Sequence, residues 1–164
     1  MSYRRFAIMI VVSTIVMFGL MYLNTFSSDH MFYSQTRTWM AVLMGAVMAV
    51  IMIGFMWSMY PRRRWNVGIV MSAIAALTVS LWLVRSQETV GDVSYMKAMI
   101  PHHSIAIMTS ARAHIKDPRV RKLADGIIEA QVREIAKMKV LIADLETNMP
   151  PEDAPDLLPA VPTE

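Results

Sequence analysis

The stretch WMAVLMGAVMAVIMIGFMWSMYPRRRWNVGIVMSAIAALTVSLWLV, Trp39 to Val84, decides the fold class. Apart from the Pro61-Arg62-Arg63-Arg64 turn in its middle, it holds no charged residue. Each uncharged arm is close to the roughly 20 residues that a helix needs to cross about 30 Å of hydrocarbon. A turn this short makes the two arms an antiparallel hairpin. Upstream, Phe6–Leu23 is a third uncharged apolar run. Three spans are therefore predicted, at about 6–23, 39–60 and 65–84, and residues 1–84 form a transmembrane domain. The first run admits a second reading as a signal peptide, since Arg4 and Arg5 precede it. Against this, Thr25-Phe26-Ser27 is a poor cleavage site and the run exceeds an h-region of about 7–15 residues.

Basic residues near the spans fix the expected orientation. Arg4, Arg5 and Arg62–Arg64 mark one side as cytoplasmic, whereas the loop from Asn24 to Thr38 holds Arg37 against Asp29 and faces outward. The chain after Val84 then faces outward too, with Arg85 the one dissenting charge. The expected location is a bacterial inner membrane, with a cytoplasmic N-terminus and a periplasmic or extracellular C-terminal domain. The net charge of +3 does not mark a nucleic-acid protein. Residues 1–84 carry six basic and one acidic residue and residues 85–164 carry ten and twelve, so the excess belongs to membrane topology. With no cysteine, disulfides and thiolate metal sites are excluded.

Within the spans, Ala41, Gly45 and Ala49, and likewise Gly68, Ser72, Ala76 and Ser80, recur every four residues and should face other helices. Trp39, Trp57, Tyr60, Trp65 and Trp82 should anchor span ends. Met40, Met44, Met48, Met52 and Met56 form a ladder along the second span. A spacing of four drifts by about 40° per step, so the ladder spirals and reads as flexible apolar packing before it reads as a Cu(I) path.

Beyond a linker at 85–91, where Gly91 should break the helix, two further helices are predicted, about Asp92–Ile115 and Pro118–Thr147. Asp117-Pro118 supplies an N-cap and first-turn proline between them. Residues 92–148 are thus a helical hairpin domain, and the proline-rich tail at 149–164 should be disordered. Pro101 predicts a kink or break in the first of these helices. Asp92, at its start, reads as an N-cap.

A four–three spacing puts Val120, Ala124, Ile127, Gln131, Glu134, Met138, Leu141 and Leu145 on one seam of the second helix. It puts Asp92, Met96, Met99, His103, Ala106, Ser110 and Ala113 on one seam of the first. Folding the helices back about Lys116-Asp117 pairs positions whose numbers sum to roughly 234. His103 then meets Gln131, Met99 meets Glu134 or Ile135, and Met96 meets Met138. Two readings fit an imidazole, three thioethers, a carboxamide and a carboxylate in one seam. One is a site for a soft or borderline metal, Cu(I) first. The other is an apolar core with a satisfied polar network.

The run Tyr95-Met96-Lys97-Ala98-Met99-Ile100-Pro101-His102-His103, followed by Ala106-Ile107 and later by Gln131, Glu134-Ile135 and Met138, resembles the bacterial family called domain of unknown function 305. The resemblance covers about Asp92 to Leu145. It implies a ferritin-like helical bundle and a link to periplasmic copper binding or resistance. It places Asp92, Met96, Met99, His102, His103, Gln131, Glu134 and Met138 on the family pattern. The chain departs from that pattern at Thr109, where methionine is common, and at Ser104-Ile105, where Gln-Gly is frequent.

The expected protein is all-α: three transmembrane helices and an antiparallel two-helix hairpin that pairs, through a homodimer or higher homo-oligomer, into a four-helix bundle. One hairpin leaves an apolar seam to be covered by a second copy, the bilayer surface or another protein. The leading functional reading is a membrane-anchored extracytoplasmic metal-binding protein for copper storage, delivery or tolerance. The alternative is a non-catalytic structural or accessory subunit of a membrane complex. Catalysis is disfavoured: Glu134 has no histidine three residues on, as di-iron bundles require, and no nucleophile has a positioned base.

Overall fold

The computed structural model describes residues 2–151, 153–157 and 160. The tail expected to be disordered falls partly on 152, 158, 159 and 161–164, outside the described residues. The described chain is all-helical: α1 Tyr3–Leu20, α2 Gln35–Phe55, α3 Arg63–Ser86, α4 Asp92–Arg112 and α5 Pro118–Leu145. Short 3-10 turns lie at Ser28–His30 and Trp57–Met59. Helices α1, α2 and α3 are long and apolar enough to cross a membrane. Helix α2 packs on both α1 and α3, and α4 packs on α5.

Local chemistry sets most boundaries. Ser34 caps α2 by accepting the Arg37 N–H at 3.2 Å, and Asp117 caps α5 by accepting the Arg119 N–H at 2.8 Å, with Pro118 in the first turn. Two expectations need correction. Helix α3 is stopped by Gln87, which takes the left-handed region at φ 55° and returns its N–H to Leu83 O, so Gly91 is not the breaker. Gly91 instead occupies the N-cap position of α4, and Asp92 is the first helical residue with no capping hydrogen bond. Its charge still favours the helix N-terminus.

Helix α4 also runs unbroken through Pro101. The proline removes one intrahelical hydrogen bond, at about 3 kcal/mol. Burial of Ile100, Pro101, Ser104 and Ile107 along that part of the helix offsets the loss.

Along α2, Ala41, Gly45 and Ala49 are buried as expected. A Cβ on Gly45 would overlap Thr14 Oγ1, so glycine is what lets α1 lie against α2. The stripe on α3 differs from expectation. Gly68 and Ser72 are exposed, and the buried line is Asn66, Ala73 and Ser80, a seven-residue repeat that keeps one narrow seam on α2. Tyr60 is buried against Phe6 and Tyr3 instead of standing at the lipid boundary. In the methionine ladder, Met52 and Met56 pack on the bundle while Met40 is exposed.

The loop after α1 docks on the α4–α5 hairpin. Phe32 packs against the cluster of Met96, Ile100, Ile107, Ile135 and Ile142. Ser104, fully buried, accepts the Phe26 N–H at 2.8 Å and meets His30 Nδ1 at 3.0 Å. Lys139 Nζ donates to Asp29 Oδ2 at 2.5 Å. One flank of the hairpin is therefore sealed by the chain's own loop, an occupant that the sequence pattern did not single out. Arg37, the lone arginine or lysine of residues 24–38, is also structural there: it donates to Met21 O at 2.8 Å and lies over the Tyr22 ring at 4.5 Å.

The hydrogen bond from Lys139, followed by one from Ser27, holds the Asp29 carboxyl down from 3.8 to about 2. A depressed carboxyl contributes full stability above its ordinary value and loses it as pH falls through the folded one. A spin label on Met31→Cys should therefore gain mobility as pH drops from about 4 towards 2. In Lys139→Met the label should already be mobile at neutral pH.

Candidate metal-binding groove

Burial along α4 and α5 shows that the hairpin core is displaced by about one residue from the expected seams. On α5 the inward positions are Ala124, Ile128, Ile135, Met138, Ile142 and Leu145, while Ile127 and Leu141 are exposed. On α4 they are Val93, Met96, Ile100, Ser104 and Ile107. Both lines keep a four–three rhythm. The expected seams share Met96, Ala124, Met138 and Leu145 with them, but Met99, His103 and Glu134 fall on the flank away from the docked loop.

That flank is an open groove of about 570 Å³ whose walls include Asp92, Met96, Met99, His103, Glu134 and Met138. Six of the eight candidate ligands thus line one depression. Gln131 stands beside it, its Nε2 at 3.4 Å from Glu134 Oε2. His102 does not join them: it is exposed, with its ring centred 6.1 Å from that of His103. Tyr95 and Lys137 complete the wall and were not foreseen, although each lies one helical turn from a candidate, Tyr95 from Met99 and Lys137 from Glu134.

The expected register also shifts. His103 Nε2 meets Glu134 Oε2 at 2.7 Å, and Lys97 Nζ meets Glu146 Oε1 at 2.6 Å, closing the far end of the hairpin. Helical side chains lean toward their own N-terminus, so those of α4 reach away from the turn and those of α5 toward it, and residues whose tips meet have numbers that sum to more than about 234. Longer side chains move the pairing further, which is why the lysine pair is displaced more.

The carboxylate of Glu134 can only accept, so this contact assigns the proton of His103 to Nε2. Nδ1 of the neutral ring is then a lone-pair donor. It is buried and has no hydrogen-bond partner among the described residues, a costly state for a polar atom. An imidazole held by a carboxylate through one nitrogen, with the other left free, is the usual outer-shell arrangement of a metal-binding histidine. Glu134, with its side chain 53% exposed, is better placed to orient His103 than to bind an ion alone. Among the described residues, no three His, Cys, Asp or Glu side chains gather where one ion could sit. No nitrogen and oxygen set for zinc is gathered among the described residues, whereas one imidazole and three thioethers line the groove beside the carboxylates of Asp92 and Glu134. Imidazole and thioether are donors that soft ions accept.

The hairpin with its Met/His flank thus defines a class, small helical hairpin domains joined to apolar helices. The family described as "Domain of unknown function (DUF305)" matches residues 82–154. An uncharacterized protein of Acanthamoeba polyphaga mimivirus is 33% identical over a 102-residue alignment that covers 58% of this chain and 67% of that protein. The chain belongs to the DUF305 family. No solved structure matches it.

The displaced core has a direct test in hydrogen exchange of the α4 and α5 amides in the full chain. Ile135→Ala, which empties a core position, should lower hairpin protection by about 2–5 kcal/mol. Leu141→Ala, on the open flank, should cost no more than about 1 kcal/mol. Equal costs would restore the expected seam.

Proposed function

We propose that this protein is a membrane-anchored, extracytoplasmic metal-binding protein whose groove takes Cu(I) as cargo, for storage, delivery or tolerance. The observation that carries the reading is the unpartnered, buried Nδ1 of His103 in a groove walled by Met96, Met99 and Met138. In this reading His103, Met99 and Met138 hold the ion, Met96 backs them from the core and Glu134 fixes the imidazole. Thioether and imidazole donors favour Cu(I) and give it a neutral, polarizable surrounding. The protein acts by holding and releasing the ion, without chemical turnover.

The orientation is part of the same proposal. The five arginines Arg4, Arg5 and Arg62–Arg64 belong to the end of the helical unit opposite the hairpin, as expected for a cytoplasmic end. Three spans then put the loop of residues 21–34 and the hairpin together outside, and the contacts between the two support their sharing one side.

A second reading is favoured by the exposed apolar side chains Val120, Leu123 and Ile127 on α5. A second copy covering them would complete a four-helix bundle, with Gln131 and Glu134 specifying the pairing. Under that reading, changing Gln131 or Glu134 alters the oligomeric state with or without metal.

The test uses the full chain, because its own loop forms part of the hairpin's support. Reduced protein in sealed vesicles is titrated with Cu(I) against a membrane-impermeant chelator. Wild type should retain copper, and His103→Ala and Met99→Leu/Met138→Leu should each weaken retention at least about tenfold, the least that even a lost outer partner of a metal ligand costs. The chelator should compete in right-side-out vesicles and fail in inverted ones. Copper retained equally by all variants would contradict the site, and the reverse vesicle pattern would contradict the orientation.

A further inference from the structure

Helices α1 and α3 each pack on α2 and leave a groove between them. Its outer part, about 530 Å³, is walled by Tyr3, Arg4 and Trp65 and reaches Ile10, Val11, Ala49 and Ile69. The same four residues line the next depression, about 450 Å³, which continues to Gly45 and Ala76. The two form one apolar channel open on the side away from α2. Along α1 it runs from Tyr3 to Ile15, about 18 Å at 1.5 Å per residue. That is close to one leaflet of a hydrocarbon core about 30 Å thick.

The end of the bundle at which the channel opens is strongly basic. Tyr3 Oη donates to Asn66 Oδ1 at 2.8 Å and lies 3.2 Å from Arg62 O, which ties the start of α1 to the turn before α3. Arg4 and Arg5 follow Tyr3 in sequence, and Arg62, Arg63 and Arg64 run from the tied turn into the start of α3. All five are exposed, and among the described residues no carboxylate pairs with any of them. Topology alone would be served by arginines scattered over that end. Here they gather at the end where a channel of acyl-chain length opens, with Arg4 in its wall, and Trp65 lines the same part with 59% exposure.

We infer that this groove is a binding site for an anionic phospholipid, one acyl chain lying between α1 and α3 and the phosphate held by the arginine cluster. The inference rests on the reading of α1, α2 and α3 as membrane spans, and is independent of any metal in the hairpin. An apolar channel supplies the chain with contact on three sides, and unpaired guanidiniums supply forked donors for phosphate oxygens. Bound lipid also fills the cleft that the small residues Gly45, Ala49 and Ala76 leave in the bundle.

The experiment is native mass spectrometry of the full chain in detergent, with phosphatidylglycerol and phosphatidylcholine of identical chains added in competition. Wild type should retain phosphatidylglycerol at least about tenfold better. Arg4→Gln/Arg64→Gln should abolish most of that preference, each arginine contributing about fivefold. Val11→Trp changes no charge and fills the groove from an exposed position, and it should weaken binding of both lipids. Equal retention of the two lipids by wild type would overturn the site. So would a Val11→Trp protein that binds as wild type does, since the attraction would then be a diffuse surface effect. Full extraction of the chain from membranes by alkaline carbonate would overturn the membrane-spanning reading itself.

Discussion

The docking of the loop of residues 21–34 on the flank of α4 and α5 is the constraint on which the rest of the hairpin depends. It is organised by Ser104, whose hydroxyl accepts the Phe26 N–H and faces His30 Nδ1. With its oxygen accepting from the backbone, the hydroxyl proton is available to His30, whose Nε2 lies 3.8 Å from Asp29. The loop brings its own apolar residue, Phe32, and its own charge, Asp29, to the contact. A two-helix hairpin has two open flanks and is marginal alone. Closing one of them from within the chain supports the pair and leaves the other free as a groove.

The same contacts join the two parts of the molecule. The connection after α3 is a short polar segment with a left-handed turn at Gln87, which by itself would let the hairpin swing. The docked loop adds a second attachment, from the segment between α1 and α2, so the hairpin is held at two points on one end of the helical unit. The opposite end is held differently, by the Tyr3, Asn66 and Tyr60 cluster, with Asn66 Nδ2 donating to Tyr60 O at 3.1 Å. Between these ends, the close approach at Gly45 and Thr14 fixes how α1 crosses α2. The loop contact leaves the opposite flank of the hairpin open as the Met/His groove, and the tyrosine cluster ties the start of α1 to the turn before α3.

The helices were legible because their signals are long-range averages or strong local chemistry: uncharged runs, the Pro61–Arg64 turn, Asp117-Pro118. The membership of the groove was legible too, since residues four and three apart share a helix face whatever the exact register. Three things were hidden for physical reasons. Heptad spacing fixes a stripe only to within about one residue, so Ile128, Ile135 and Ile142 could not be told from Ile127, Glu134 and Leu141 as the core line. The lean of side chains along antiparallel helices moved His103 from Gln131 to Glu134. The docked loop depends on a contact between residues 26 and 104, and nothing periodic in the sequence encodes so distant a pair.

On the proposed reading, the free flank of the hairpin is a thioether and imidazole site. X-ray absorption at the copper edge of the full, reduced, Cu(I)-loaded chain addresses the donors themselves. Sulfur scatterers together with a single imidazole are expected, the imidazole signal vanishing in His103→Ala and the sulfur signal falling in Met99→Leu. A first shell of nitrogen and oxygen alone, unchanged in either variant, would place the copper elsewhere and leave the groove as a surface for protein pairing.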